Sequence, residues 1–313
     1  MRLSPPAPVS PRPTLSKSIP INSPEKPLEI SHWKEQWKNL VQFLSVKQHV
    51  DTWCHFSHPR QLDLPNLKVL QIDAQRNKDN SWTSSDFHRW SSNINNQFCP
   101  LLKGLRPKVA IIRNVGNTPF EAQCRGVPIR TWTEVETLIM ISSSISQHEH
   151  LIYRHPPPGL INLQKVIWIC DPQAFRSTPS GPLLQPLISS ETSIYTGYVL
   201  LSHLLQKFVD VPITIVNLGP SARYRLYSSV SADLEDGELT SEDVFRHNLT
   251  HLVENTSTPI RKDDLPRKQG LIGFMSLEEF LEKENWKDWF EEEEMMNWVD
   301  IMGKHNGQEE IEG

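Results

Sequence analysis

The sequence predicts an α/β protein built on parallel strands, either an irregular repeat-type solenoid or an open doubly wound sheet. Three observations carry this. Short apolar runs rich in branched residues recur at 67–72, 109–112, 135–141, 163–169 and 213–218, with a weaker one at 271–275. Turn formers bound each run, as strands require. Helix-compatible segments at 84–102, 191–208 and 241–254 lie between the runs, and strand alternating with helix implies parallel pairing.

The chain opens on a segment of different character. Eight of its 25 prolines fall within residues 1–30, and no apolar periodicity accompanies them. Such a stretch cannot bury enough surface to offset its ordering entropy, so 1–30 reads as a disordered, polyproline-biased tail. It has neither the apolar core of a secretory signal nor the amphipathic helix of a transit peptide. The stretch 31–53, "SHWKEQWKNLVQFLSVKQHVDTW", reads as helical and opens a domain expected to run over 31–275.

Within that domain the strands share a form. "NLKVLQI" (66–72), "EVETLIM" (134–140) and "NLQKVIW" (162–168) each place apolar residues as φ-x-x-φ-x-φ, and "PITIVNL" (212–218) fits through Ile213, Val216 and Leu218. In a leucine-rich repeat these positions point inward and stack on the next rung. The first apolar residues sit at 67, 109, 135, 163 and 213, so the gaps are 42, 26, 28 and 50. Two of the four match a period of roughly 20–29 residues, and the others need insertions. Val109 to Asn114 breaks the pattern at its last apolar place. The segment "TSEDVFRHNL" opens a helix, with Thr240 or Ser241 as N-cap and acidic residues in the first turn.

The C-terminal stretch "SLEEFLEKENWKDWFEEEEMMNWVDIM" (276–302) carries Phe280, Leu281, Trp289 and Met296 at helical spacing, widened by Trp286, Phe290 and Trp298. We expect an acidic amphipathic helix over 276–303 and a disordered end over 304–313. Either that helix caps the end of the sheet, or it offers Trp286, Trp289, Phe290 and Trp298 to a partner. Residues 276–313 hold 13 Asp/Glu against 3 Lys, a net of −10, which leaves 24 acidic and 29 basic residues, a net of +5, on the remainder. An acidic end on a mildly basic body is a solubilising or partner-binding arrangement.

Composition narrows the function classes. No dense basic patch with interleaved aromatics appears, so nucleic acid is not expected, and no run approaches a membrane span. Cys54, Cys99, Cys124 and Cys170 are scattered, which fits reduced thiols in cytoplasm or nucleus better than a disulfide framework.

The stretches "LPNLKVLQID", "CPLLKGLRPKVAIIRNVG", "TEVETLIM", "NLQKVIWIC" and "GFMSLEEFLE", over roughly residues 60–285, together resemble the leucine-rich-repeat-like region of fungal F-box-type proteins. That resemblance implies a repeat domain that holds other proteins and, where an F-box is present, a ubiquitin-ligase adaptor as partner. Residues 31–53 lack the Leu-Pro start and spacing of the motif.

Candidates for chemistry are few. Asp73 and Asp171 each follow an apolar strand, where α/β enzymes place metal or nucleotide ligands. "IIRNVGNTP" and "IVNLGPSAR" run from strand into Asn-x-Gly, with Arg113 or Arg223 at hand for an anion. Cys54, His55 and His58, and His148, His150 and His155, lack the paired spacing of a zinc site. Ser180 sits among prolines without a G-x-S-x-G elbow. No metal, cofactor or catalytic residue is assigned. The expected function is non-catalytic binding of another protein. The alternative is an α/β enzyme acting on an anionic small molecule through Asp73 or Asp171.

Overall fold

The computed structural model describes residues 39–47, 63–73, 102–113, 127–142, 159–172, 195–218, 240–255 and 260–309. Seven strands form one sheet: β1 (Phe43–Lys47), β2 (Val69–Asp73), β3 (Val109–Arg113), β4 (Thr137–Ser142), β5 (Lys165–Cys170), β6 (Ile213–Val216) and β7 (Ile272–Met275). All pairings are parallel, and strand order follows sequence order without reversal. Six strands fall on the six apolar runs. The seventh, β1, overturns the helical reading of 31–53: in "FLSVK" the apolar Leu44 and Val46 alternate toward one face, a period of two. β1 also withdraws residues 43–47 from any helical adaptor-docking motif there. The expected tail 1–30 and most of the helix at 84–102 lie outside the described residues.

Register explains the pattern and corrects its frame. Leu44, Leu70, Ala110, Leu138, Val166, Ile213 and Ile272 stand in one row; Val46, Ile72, Ile112, Met140, Trp168, Ile215 and Phe274 stand in the next. Both rows face the larger core, except that Phe274 is only partly buried against it. The third strand therefore reads Pro107-x-x-Ala110-x-Ile112, with Pro107 buried, and does not break the form. In β6 the inward residues are Ile213 and Ile215, while Val216 belongs to the opposite face. A one-residue frame error exchanges the faces. Along the first row the spacings are 26, 40, 28, 28, 47 and 59 residues.

The strands are entered through repeated turns. Leu67, Leu105 and Val135 N–H donate to the carbonyls of Leu64, Leu102 and Trp132 at 3.1, 3.2 and 3.2 Å. Gln42, Lys68, Lys108 and Glu136 carbonyls each accept from two successive N–H groups of the next rung, at 2.8–3.1 Å. Each rung is thereby hung on its predecessor, as quasi-one-dimensional stacking requires.

On the inner face lie α1 (Ile129–Trp132), α2 (Tyr195–Lys207), α3 (Ser241–Asn255) and α4 (Leu265–Gln269), through Trp132, Leu201, Leu204, Leu205, Val244, Phe245, Leu249, Leu252 and Leu265. Thr240 proves to be the N-cap of α3: its Oγ1 accepts from the Asp243 N–H, and its own N–H donates to Asp243 Oδ2 at 3.0 Å. The Lys268 ammonium is buried and donates to the Leu205 carbonyl in the last turn of α2, where unpaired carbonyls favour a cation.

The C-terminal segment departs from expectation. It forms two helices, α5 (Leu277–Lys283) and α6 (Glu292–Glu309), joined through a 3₁₀ turn at Trp286–Asp288. It lies across the outer face of the sheet, not over its end, and α6 runs on to Glu309 through most of the stretch expected to be disordered. Leu277, Phe280, Trp286, Phe290, Met295 and Trp298 form a second core with Val69, Ile111, Ile139, Ile141, Ile167, Ile169 and Val216. The sheet needs this cover because its central strands are apolar on both faces. Among the described residues, no helix is long and apolar enough to cross a membrane.

Candidate functional site

The four aromatics read from sequence as partner-binding residues are internal. Trp286, Phe290 and Trp298 are buried and Trp289 is half-buried. Ser276 starts this arrangement by capping α5: its Oγ accepts from Glu279 N–H at 3.1 Å, and Glu279 Oε2 accepts from Ser276 N–H at 3.0 Å. The chain then turns on Trp286, whose Nε1–H donates to the Leu281 carbonyl at 3.0 Å. Phe290 is set edge-on to Phe280, with centroids 6.4 Å apart, and stands 6.0 Å from Trp298.

Two ion pairs tie the segment to the sheet. The Arg113 guanidinium forks onto Glu294, with Nη1 2.6 Å from Oε1 and Nη2 2.7 Å from Oε2, and it also stacks 5.9 Å from the Phe290 ring. The Lys165 ammonium meets the Glu284 carboxylate. Arg113, a candidate anion ligand, is therefore engaged inside the protein.

The remaining chemical candidates do not converge. Asp73 ends β2 and Asp171 follows β5, three strands apart, or about 14 Å at sheet spacing. Asn217, which opens the Asn-x-Gly after β6, has a structural role. Asn217 takes φ +58°, and its Nδ2 donates to the Cys170 carbonyl at 2.9 Å, locking the ends of β5 and β6 together. The Cys170 thiol is pushed up to about 12, first by burial and then by the charge of Asp171, so it is no nucleophile. Arg223, Ser180, Cys54, His55, His58, His148, His150 and His155 lie outside the described residues. Among the described residues no group of three or more metal-ligating side chains comes together.

Sequence reasoning missed a surface: the rim at the N-terminal ends of the strands. Among the described residues five large apolar side chains are exposed, and four of them, Leu40, Ile129, Ile161 and Val209, sit in segments that lead into a strand, Ile129 as the first residue of α1. At its centre, the Arg106 Nη1 donates to the Arg130 carbonyl at 2.8 Å, and Asn162 Nδ2 donates to the Thr133 carbonyl at 2.6 Å. Gly159 lies so close to α1 that a Cβ would stand 2.5 Å from the Ile129 carbonyl oxygen. These contacts seat Ile129, at 49% exposure, on the rung next to Ile161, at 75%. Exposed Lys68, Lys103, Arg106 and Arg130 stand on the same rim, as do Glu134 and Glu136, which pair with Lys108 at 3.5 and 2.6 Å. The available signal was position: each of these residues precedes an apolar run outside its in-facing frame.

No family model, curated protein or solved structure matches this chain.

Proposed function

We propose that this protein is a non-catalytic protein-binding scaffold of the cytoplasm or nucleus, which recognises its partner on the apolar and basic rim at the strand N-termini. One observation carries the reading. The chain covers both faces of its own sheet, so the strand-lined faces are largely core, and among the described residues four of the five large exposed apolar side chains stand on the rim. Isolated exposed apolar residues are ordinary; a row of them along one edge with flanking arginines has the composition of a binding surface. Strand order adds support: without a reversal there is no switch-point crevice of the kind doubly wound enzymes use. The resemblance to F-box-type repeat regions points to the same class, as fold-level analogy.

The test is chemical crosslinking of the full-length chain in its own cells, followed by mapping of the linked residues. Crosslinks from one partner protein to Lys68 and Lys103 are the expected result. Absence of any protein partner, together with a thermal shift caused by an anionic metabolite, would overturn the reading in favour of an enzyme.

A further inference from the structure

Among the described residues, the one large exposed apolar residue that lies off the rim is Met296, at 56% exposure on α6. Glu292 and Glu293 lie one turn before it and Asp300 one turn after, all three exposed, so Met296 is ringed by carboxylates on one helix face. On the rim, Ile129 and Ile161 lie beside Arg106 and Arg130, while the nearby Glu134 and Glu136 are paired with Lys108. One surface is the electrostatic and apolar counterpart of the other. Net charge has the same polarity, −10 over residues 276–313 against +5 over the remainder.

A single copy does not satisfy both surfaces. Glu294 is fastened to Arg113, the last residue of β3, which places the start of α6 at the end of the strands opposite the rim. We propose that the partner seated on the rim is a second copy of this chain, whose α6 sets Met296 against Ile129 and Ile161 and its carboxylates opposite Arg106 and Arg130. This rests on the reading of the rim as a protein-binding surface. The contact is head-to-tail: each bound copy keeps a free rim or a free helix face, so association grows with concentration unless a ring closes. Charge pairing at its edge makes it salt-sensitive.

Sedimentation analysis of the purified full-length chain tests this, at low salt and at about 1 M NaCl, where the Debye length is about 3 Å. Ile161→Glu alters the rim and Met296→Arg alters the helix face. Both positions are exposed, and thermal unfolding verifies that each variant folds. The expected result is concentration-dependent association at low salt that dissociates at high salt and weakens at least about tenfold in either variant. Mixing the two variants then yields a dimer that grows no further, because each retains the surface the other has lost. A monomer under all conditions overturns the proposal, and so does association that either variant leaves intact. If the chain is monomeric but Ile161→Glu abolishes the rim crosslinks to another protein, the second copy is the wrong occupant and the rim reading stands. If those crosslinks also survive, both readings fail.

Discussion

The two faces of the sheet are covered in different ways. The inner one is covered almost completely and the outer one only over the central strands, with Gln71 and Thr214 half-buried and Gly273 exposed at its margins. On the inner side the described helices cover the rungs they connect, α1 ahead of β4, α2 between β5 and β6, and α3 and α4 between β6 and β7. The bonds joining neighbouring rungs span short stretches of chain: 27 residues from Asn66 to Asn39, and 29 from Thr131 to Leu102 and from Asn162 to Thr133. On the outer side one terminal segment covers several rungs at once, through Arg113 to Glu294 across 181 residues and Lys165 to Glu284 across 119. Inner order can therefore propagate from rung to rung, whereas outer order waits for the whole chain. The outer cover is also a single unit, since α5, the Trp286 turn and α6 share one aromatic cluster.

Removing that unit should have the largest effect. A chain stopped after Met275 loses six buried side chains, each worth about 1.5–3 kcal/mol of burial, a total comparable with the roughly 5–15 kcal/mol that stabilises a whole domain. We expect loss of cooperative thermal unfolding and exposure of the β3–β6 face to a hydrophobic dye. A truncated chain that still unfolds cooperatively would mean that the inner core suffices and the outer segment is an accessory.

Single residues sharpen the comparison. Trp298→Ala should cost about 3–5 kcal/mol, measured by urea unfolding, and so should its inner-face counterpart Phe245→Ala. Hydrogen exchange separates the two. Trp298→Ala should loosen α5 and α6 and leave α2 and α3 protected, and Phe245→Ala should do the reverse. Matching exchange profiles would show one core rather than two.

The Arg113–Glu294 fork is the next step down. Its side chains are 16% and 24% exposed, so removing either partner should cost about 1.5–3 kcal/mol, as for hydrogen bonds to charged groups. A double-mutant cycle should show coupling. Additive costs would mean that the apolar contacts alone hold α6 in place.

The smallest effect is at the cap of α5. Ser276→Ala should cost about 1 kcal/mol. Glu279, the other half of that cap, is held below its ordinary 4.5, first by the Lys283 hydrogen bond and then by the Ser276 N–H. A depressed carboxylate pKa contributes stability that is present above the unfolded value and is lost as pH falls through the folded value. The difference between Glu279→Gln and the parent chain should therefore shrink as pH falls below 4.5. A difference that stays constant through acid would show that the charge of Glu279 adds nothing to the cap.

Local pattern located six strands and α2 and α3, because a strand or a helix face writes its period directly into neighbouring residues. The inner frame was readable wherever an apolar residue stands at the first position, as at Leu67, Val135 and Leu163. It was lost where Pro107 fills that place and where Ile215 and Val216, both buried and adjacent, face opposite sides. β1 was hidden by its length, since five residues inside a tryptophan-containing helical pattern carry little signal. For the aromatics of 276–302, sequence showed an amphipathic segment but not what its apolar side would meet.

By itself, then, the sequence determined that the strands run parallel and which residues fill the inner rows of β2, β4 and β5, since each of these rungs writes its pattern locally. Tertiary structure alone decided what covers the outer face, and so which residues stay at the surface. Ile111, Ile139 and Ile167 announce only that something must bury them. That it is Phe280, Phe290 and Trp298 depends on a contact made more than a hundred residues away, which no window of sequence contains.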